Sequence, residues 1–288
     1  MIPSYLIENQ YIGVKRARHG LFMFNRNDLF IGRSLDLYGE WCESELVLLG
    51  NYLRESDVVL DIGANIGTHA VAFGGMVGKA GRVHAFEPQP GLFHLLCGNV
   101  ALNCLENVIP HRQAVASAPG QIELPSLPPP DLPFNFGAVS MSAPVSGEAV
   151  EVVSVDSLDL TRCTLIKIDV EGIECDVLKG AEETIHKLKP LLFVENDTVA
   201  RAREVIESIF RLGYKAYWQI SPYFQKGNFF GNTENIFAQY QPAANLLCLP
   251  ETAASNTTGV MECTGPDDDW MKAVERINKA AGGGGPKR

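Results

Sequence analysis

Between residues 57 and 220, short apolar runs alternate with longer segments of helical periodicity. The predicted strands are Val58–Asp61, Arg82–Phe86, Val108–Val115, Leu165–Asp169, Leu191–Glu195 and Tyr214–Ile220. The predicted helices are Ile66–Val77, Leu92–Leu102, Glu174–Leu178, Ala181–Leu188 and Val199–Leu212, with Gly180 as a candidate C-cap. Because most of these strands are followed by a helix, this pattern predicts an α/β fold with a mostly parallel sheet and helices on both faces.

Three regions depart from this alternation. Residues 1–56 precede the first strand, and we expect a helix there at Glu43–Arg54. Residues 116–149 are rich in Pro, Ser and Gly and cannot hold a helix, so we expect a long loop. The tail, residues 250–288, predicts one helix around Asp267–Ala281 and a disordered end, GGGGPKR.

Composition excludes several classes of protein. The chain of 288 residues has a net charge of −10, which disfavours a nucleic-acid partner because phosphate binding depends on clustered Lys and Arg. Its seven scattered cysteines form no C-x-x-C pair, which favours reduced thiols and disfavours a zinc site. No apolar stretch is long enough to span a membrane, and the N-terminus lacks the pattern of a secretory signal. We therefore expect a cytoplasmic protein.

Acidic residues follow four of the predicted strands, and ligands bind beyond such strand ends in open parallel sheets. The four segments are Asp61–Gly67, Glu87-Pro88, Asp169–Gly172 and Glu195-Asn196. The first has the spacing D-x-G-x-x-x-G, which is neither the dinucleotide G-x-G-x-x-G nor a P-loop. Asp61 would repel a phosphate but would suit a ligand that carries an ammonium group, such as S-adenosylmethionine.

Glu87 strengthens this interpretation. It lies 20 residues after Gly67, at the end of the next strand, where an acidic residue commonly accepts hydrogen bonds from ribose hydroxyls. The glycine turn and this acid together predict a nucleoside site.

The sequence resembles the FkbM-type methyltransferases. The resemblance rests on LDIGANIG (Leu60–Gly67), AFEP (Ala85–Pro88), VDSL (Val155–Leu158), LIKIDVEGIECDVLKGA (Leu165–Ala181) and the later Pro190 and Glu195. It covers about residues 35 to 240 and fades over residues 1–34, the Pro-rich loop and the tail. It implies a class I methyltransferase (Rossmann-like) fold with a seven-stranded sheet, S-adenosylmethionine as methyl donor and S-adenosylhomocysteine as product.

The resemblance also implies roles for residues. Asp61, Gly63 and Asn65 would hold the methionine part of the cofactor, Glu87 the ribose, and Gln113 or Ala114 would lie near the adenine. The full expected cofactor-binding set is Asp61, Gly63, Ala64, Asn65, Gly67, Glu87, Pro88, Gln113, Ala114 and Asp169. The candidate catalytic residues are Asp169, Glu171, Glu195 and His69. Asp169 and Glu171 could instead be helix-capping acids, and Glu195-Asn196 could be only the start of the next helix.

For the domains, we expect an N-terminal substrate-side segment at 1–56, a cofactor-binding methyltransferase domain at 57–249 and a C-terminal tail at 250–288. The expected reaction is O-methylation of a hydroxyl on a small-molecule natural product or a sugar. Carboxyl or amine methylation and a non-catalytic binding module remain alternatives, and a nicotinamide dehydrogenase is disfavoured by the glycine spacing. We expect no metal requirement, although three carboxylates could bind magnesium.

Overall fold

A computed structural model describes residues 3–138, 147–253 and 257–282 of the chain. Its main sheet has eight strands, numbered along the chain. In spatial order they are β6 (Val108–His111), β5 (Arg82–Phe86), β4 (Val58–Ile62), β10 (Leu165–Ile168), β11 (Leu191–Glu195), β13 (Ala243–Pro250), β12 (Tyr214–Ser221) and β14 (Met261–Glu262). The strands from β6 to β11 pair in parallel, and β13 is antiparallel to both of its neighbours. The mostly parallel seven-stranded sheet is confirmed, with the two-residue β14 added at its edge.

Helices cover both faces of this sheet, as predicted. They are α1 (Ile31–Leu37), α2 (Glu43–Gly50), α3 (Thr68–Val77), α4 (Pro90–Leu102), α5 (Glu174–Lys179), α6 (Glu182–Leu188), α7 (Val199–Arg211) and α8 (Trp270–Gly282). Alternate residues of each strand enter opposite cores, so Val59 packs with α2, α3 and α4 while Leu60 packs with α5, α6 and α7. The face under α2 and α3 is the one that carries the site described below.

Two small sheets flank the main one. The first is formed by β1 (Ile7–Glu8), β2 (Ile12–Ala17) and β3 (Gly20–Asn25). The second joins β7 (Ala114–Val115), β8 (Gly120–Glu123) and β9 (Ala149–Val153), so part of the Pro-rich region forms a strand. Residues 139–146 of that region lie outside the described residues.

Most predicted elements are confirmed, and three of the predictions need correction. The predicted strand Val108–Val115 is two strands in different sheets, because the chain leaves the main sheet after His111. The predicted helix Glu43–Arg54 ends at Gly50. Helix α3 begins at Thr68 rather than Ile66, because Asn65 and Gly67 both have positive φ.

The C-terminal region contains a strand that was not predicted, β13. Its residues Ala244–Leu249 are buried in the middle of the sheet, between β11 and β12. The helix expected around Asp267–Ala281 is confirmed as α8, and residues 283–288 lie outside the described residues. None of the helices within the described ranges combines the length and apolar composition needed to cross a bilayer.

Candidate active site

One face of the main sheet changes from apolar to polar toward the carboxyl ends of its parallel strands. On β4 the buried Val59 is followed on the same face by Asp61, and on β10 Leu165 is followed by Lys167. Because β4 and β10 pair in register, Asp61 and Lys167 are direct neighbours. This polar edge begins where the cores under α2 and α3 end, so the fold places charged groups in a largely buried setting.

The glycine turn after β4 needs its glycines for two reasons. Gly63 has φ +82°, and a Cβ at this position would lie 1.7 Å from the carbonyl oxygen of Asp169. Gly67 has φ +88°, and a Cβ there would lie 2.6 Å from a methyl group of Leu96. Between them Asn65 has φ 50° and accepts a hydrogen bond from the Ile66 amide through its own Oδ1. The turn therefore brings bare backbone against the end of β10.

Asp61, Lys167 and Asp169 form a charged group at the ends of β4 and β10. The Lys167 Nζ lies 2.9 Å from Asp169 Oδ2 and 3.5 Å from Asp61 Oδ1. Burial lowers the pKa of Lys167, but the two carboxylates outweigh this and raise it, so the lysine remains charged. Asp61 is fully buried, and neither of its carboxylate oxygens has a hydrogen-bond partner among the described residues. A buried carboxylate without hydrogen bonds is costly, so Asp61 has unused capacity to accept them.

Glu87 lies at the end of β5 and supports the glycine turn. Its Oε2 accepts a hydrogen bond from the Asn65 amide at 2.9 Å, and its Oε1 accepts one from the Gln89 amide at 2.8 Å. Burial raises the pKa of Glu87 to about 7, although these two hydrogen bonds oppose the shift. Each carboxylate oxygen keeps one lone pair that can accept a further hydrogen bond.

Three carboxyl groups converge beyond β10 and β11. One oxygen from each of Asp169, Glu171 and Glu195 lies within 4.8 Å of the others. Burial opposes ionisation of Asp169, yet Lys167 lowers its pKa overall, so this carboxyl is ionised. Burial and the charge of Asp169 raise the pKa of Glu171 to about 8, and the same two effects raise that of Glu195 well above its usual value. Asp169 is therefore the member of the cluster that ionises most readily, while Glu171 and Glu195 hold a proton more tightly than an ordinary glutamate does.

A second cluster of polar side chains connects α2, α3 and β13. His69, in the first turn of α3, has its Nε2 3.1 Å from Glu45 Oε2 of α2. Glu45 Oε1 accepts a hydrogen bond from Asn245 Nδ2 at 3.0 Å. All three side chains are buried. Asn245 is opposite Glu195 in the β11–β13 register, so this group adjoins the carboxyl cluster.

Two connected cavities open along this edge of the sheet. The apolar cavity is lined by Ile62, Gly63, Phe86, Glu87, Pro88, Gln89, Leu92, Gln113, Ala114, Val115, Phe136, Gly137, Asp169, Val170, Glu171 and Ile173. The acidic cavity is lined by Phe30, Ile31, Trp41, Gly63, Ala64, Asn65, Thr68, His69, Glu87, Asn135, Gly137, Lys167, Asp169, Glu171, Glu195 and Tyr223. The two linings share five residues, which are Gly63, Glu87, Gly137, Asp169 and Glu171.

Aromatic side chains form one wall of the acidic cavity. Trp41 stacks on Tyr223 with ring centroids 5.0 Å apart, and Phe30 contacts the edge of Tyr223 at 5.5 Å. Trp41 comes from the N-terminal region and Tyr223 from the segment after β12. The cavity therefore has an aromatic wall on one side and carboxyl groups on the other.

The structure brings most of the predicted site residues together. Pro88, Gln113 and Ala114 line the apolar cavity, and Ala64, Asn65, His69 and Glu195 line the acidic cavity. Glu87, Asp169, Glu171 and Gly63 line both. Asp61 and Gly67 belong to neither lining, because Asp61 is fully buried behind the turn and Gly67 precedes α3.

Sequence reasoning assigned no role to Lys167 or Asn245. A lysine within the apolar run LIKID was the available signal for Lys167, because a charge is rarely buried without a partner. Asn245 lies in a strand that was not predicted, so its position could not be inferred.

Comparison with known proteins identifies the family. A family model described as "Methyltransferase FkbM domain" matches residues 61–216, more than half of the chain. The chain belongs to the FkbM methyltransferase family. The match contains the glycine turn, Glu87, the carboxyl cluster and Lys167, whereas Trp41, Glu45, Tyr223 and Asn245 of the site lie outside it.

Two curated proteins are related in sequence. Hexuronic acid methyltransferase AglP of Haloferax volcanii is 33% identical over 162 residues, covering 55% of this chain and 63% of AglP. Methyltransferase sdnD of Sordaria araneosa is 27% identical over 191 residues, covering 54% of this chain and 73% of sdnD. The match to AglP thus spans less than two thirds of that relative.

A solved structure of the same family was also found. It is the methyltransferase FkbM from Methylobacillus flagellatus KT, with 18% identity and a TM-score of 0.41. The alignment covers 66% of this chain and 43% of that one.

Proposed function

We propose that this FkbM-domain protein is an S-adenosylmethionine-dependent methyltransferase that methylates a hydroxyl group of a small molecule or a sugar. Family membership and the two relatives named as methyltransferases support the reaction class. The name of AglP, a hexuronic acid methyltransferase, supports a sugar-like acceptor. The observation that carries the proposal is the pair of buried acids, Asp61 and Glu87, at the ends of adjacent parallel strands around a glycine turn.

The residues present fit this cofactor. The glycine turn leaves a cradle at Gly63 that a Cβ would fill, so a ligand can approach the backbone there. Asp61 has two buried oxygens without hydrogen bonds, and its charge favours a ligand with an ammonium and a sulfonium group. Asp61, Lys167 and Asp169 together carry one net negative charge, which complements the net positive charge of the cofactor.

Each part of the cofactor has residues of suitable chemistry. Glu87 would accept hydrogen bonds from the ribose hydroxyls through its remaining lone pairs. The apolar cavity, with Pro88, Gln113 and Ala114 in its lining, would take the adenine. Gly63, Ala64 and Asn65 would hold the methionine part, and Gly67 would set the start of α3 behind it.

When bound, the cofactor supplies an electrophilic methyl group on a good leaving group. The protein then has to place an acceptor oxygen close to that methyl group and provide a group that accepts the hydroxyl proton. Asp169, Glu171 and Glu195 line the acidic cavity and would hydrogen bond to a hydroxylated acceptor. The wall formed by Trp41 and Tyr223 would pack against the acceptor's apolar face.

We propose that this reaction needs no metal ion. Asp169 is already paired with Lys167, and because the pKa values of Glu171 and Glu195 are raised, a cation would have to displace their protons.

The test is methyl transfer with purified protein and methyl-labelled S-adenosylmethionine. The acceptor panel would contain methyl glycosides of neutral hexoses, hexuronic acids and hydroxylated aromatic compounds at millimolar concentration. We expect label to appear in an ether product and S-adenosylhomocysteine to accumulate in equal amount. Glu87→Ala should abolish most of this transfer, whereas His186→Gln, at an exposed position on α6, should not change it. Absence of both labelled product and S-adenosylhomocysteine across the panel would contradict the proposal.

A further inference from the structure

His69 is the one imidazole in the lining of the acidic cavity, as far as the described residues go. It extends from the first turn of α3, directly after the glycine turn, and its side chain is only 6% exposed. Its ring therefore lies between the protein interior and the space beside Asp169 and Glu195. An imidazole in this position can exchange protons with a molecule in the cavity.

Glu45 determines which nitrogen of His69 carries the proton. A carboxylate only accepts hydrogen bonds, so the 3.1 Å contact places the proton on His69 Nε2. Glu45 itself is held by Asn245, which donates to its other oxygen at 3.0 Å. With both oxygens engaged and a side chain 5% exposed, Glu45 has little freedom to turn away.

The second ring nitrogen, Nδ1, is consequently the one with a lone pair. Within the described ranges Nδ1 has no hydrogen-bond partner, and it is not among the buried polar atoms left unsatisfied. Nδ1 is therefore not sealed from solvent, and His69 lines the acidic cavity. A neutral imidazole with one nitrogen anchored to a carboxylate and the other facing a cavity is the arrangement that general-base catalysis requires.

The neighbouring carboxyl groups are poorer bases at neutral pH. Lys167, 2.9 Å from Asp169, overcomes the effect of burial and lowers the pKa of that carboxyl, so it holds a proton weakly. Burial and neighbouring carboxylates raise the pKa of Glu171 to about 8 and that of Glu195 well above its usual value, so burial and charge favour the protonated form of both. They can orient a hydroxyl but cannot readily take its proton.

We propose that His69 is the general base of the methyl transfer and that Glu45 is its positioning residue. This inference rests on the proposed function and specifies how the acceptor is activated. The acceptor oxygen forms a bond to the methyl carbon, and the electron pair of the breaking carbon–sulfur bond remains on sulfur. The hydroxyl proton moves to His69 Nδ1, and the resulting imidazolium is stabilised by Glu45 and later returns its proton to water.

Several ionisable groups surround His69. They are Cys42 and Glu45 from the α2 side, Lys167 and Asp169 from the β10 side, Glu195 from β11 and Tyr223 from the segment after β12. His19 also contacts a carboxylate, that of Glu43 at 2.7 Å, but of these two histidines His69 is the one that lines the acidic cavity. We expect the transfer rate to rise with pH to a plateau, as for any step that needs a neutral base.

The acceptor-independent test is nitrogen NMR of the protein with ¹⁵N-labelled histidine and bound S-adenosylhomocysteine. The His69 signals are assigned with His69→Gln. We expect a neutral ring with its proton on Nε2 and an unbonded Nδ1, and a clear loss of this tautomer preference in Glu45→Gln. A proton on Nδ1, or an Nδ1 signal that shows a hydrogen bond formed on adding S-adenosylhomocysteine, would overturn the inference.

The catalytic test uses whichever panel compound the wild-type protein methylates. His69→Gln should lower kcat by about 10²- to 10⁴-fold with an unchanged dissociation constant for S-adenosylmethionine, and it should remove the rising limb of the pH–rate profile. Glu45→Gln should lower kcat less and shift that limb. Glu43→Gln is the matched control, because Glu43 lies on the same helix and pairs with His19 at 2.7 Å instead.

The outcomes separate this inference from the proposed function. Wild-type transfer with an unaltered rate in His69→Gln would overturn the role of His69 and leave the methyltransferase proposal standing. If His69→Gln lost cofactor affinity by the same factor as rate, His69 would belong to the cofactor site. This result would also overturn its role as the general base. If no panel compound is methylated, the acceptor proposal fails, and the NMR result alone decides whether His69 is held as a base.

Discussion

Lys167 lies opposite Asp61 in the β4–β10 register, and its Nζ is 3.5 Å from the Asp61 carboxylate. Both side chains are almost completely buried, and Lys167 also binds Asp169 at 2.9 Å. A single lysine thus balances the carboxylates of two strand ends. Its loss would leave Asp61 as a buried charge with no partner, which a folded protein tolerates poorly.

We expect Lys167→Met to lower the free energy of unfolding by about 3–5 kcal/mol, because it breaks a buried ion pair from one side. Chemical denaturation measures this change. Lys215→Met is the matched control, since Lys215 is exposed on β12, and it should change stability by less than about 0.5 kcal/mol. Equal stability of the two variants would contradict the structural role of Lys167.

Gly63→Ala should lower the free energy of unfolding by more than the left-handed backbone conformation of this residue alone would cost. Gly63 and Gly213 have similar φ values of +82° and +77°, but only at Gly63 would a Cβ meet other atoms, 1.7 Å from the Asp169 carbonyl oxygen. We expect Gly213→Ala to cost about 1–2 kcal/mol from the left-handed conformation alone. Gly63→Ala should cost more and abolish cofactor binding, as measured by denaturation and calorimetry. Similar losses in both variants would show that close packing at Gly63 is unimportant.

Cofactor affinity should depend on the ionisation of Glu87. Burial raises the pKa of Glu87 to about 7, so the group gains its charge as pH rises through neutrality. The ionised form accepts ribose hydrogen bonds and attracts the positive cofactor, so affinity should be about tenfold weaker at about pH 6 than at about pH 8. Calorimetric titrations at these pH values measure the effect. Glu87→Gln should bind weakly and without this pH dependence, and a pH-independent wild type would contradict the assignment.

Removal of divalent metal should leave the protein unchanged. In the carboxyl cluster, Asp169 is paired with Lys167, and the raised pKa values of Glu171 and Glu195 disfavour their ionisation. We therefore expect the same melting temperature and the same methyl transfer in EDTA and in magnesium chloride. A lower melting temperature or slower methyl transfer in EDTA, with recovery on adding magnesium, would contradict this prediction and indicate a metal site.

Much of the fold follows from the local sequence pattern, because each buried parallel strand is a short apolar run with a helix after it. The strand Arg82–Phe86 is found with the predicted bounds. The division of Val108–Val115 into two strands could not be predicted, because an apolar pattern does not reveal that a chain passes from one sheet to another. The missed β13 follows a long irregular segment, so no alternation pointed to it.

Within the site, residues at strand ends could be predicted and residues that meet through tertiary packing could not. Asp61, Glu87 and Asp169 each follow an apolar run, so topology alone brings them to one edge. Glu45 and Asn245 are 200 residues apart, and their contact depends on α2 packing over the end of β13. The tautomer of His69 is therefore a property of the assembled fold.

The most direct test of the account is a calorimetric titration of S-adenosylmethionine into the purified, cofactor-free wild-type protein and Asp61→Asn. Asp57→Asn, at the opposite end of the β4 segment, serves as the matched control. We predict one site in the wild type and in Asp57→Asn, and at least tenfold weaker binding in Asp61→Asn, since its buried charge no longer favours the cation. No binding to the wild type at millimolar cofactor would contradict the central claim.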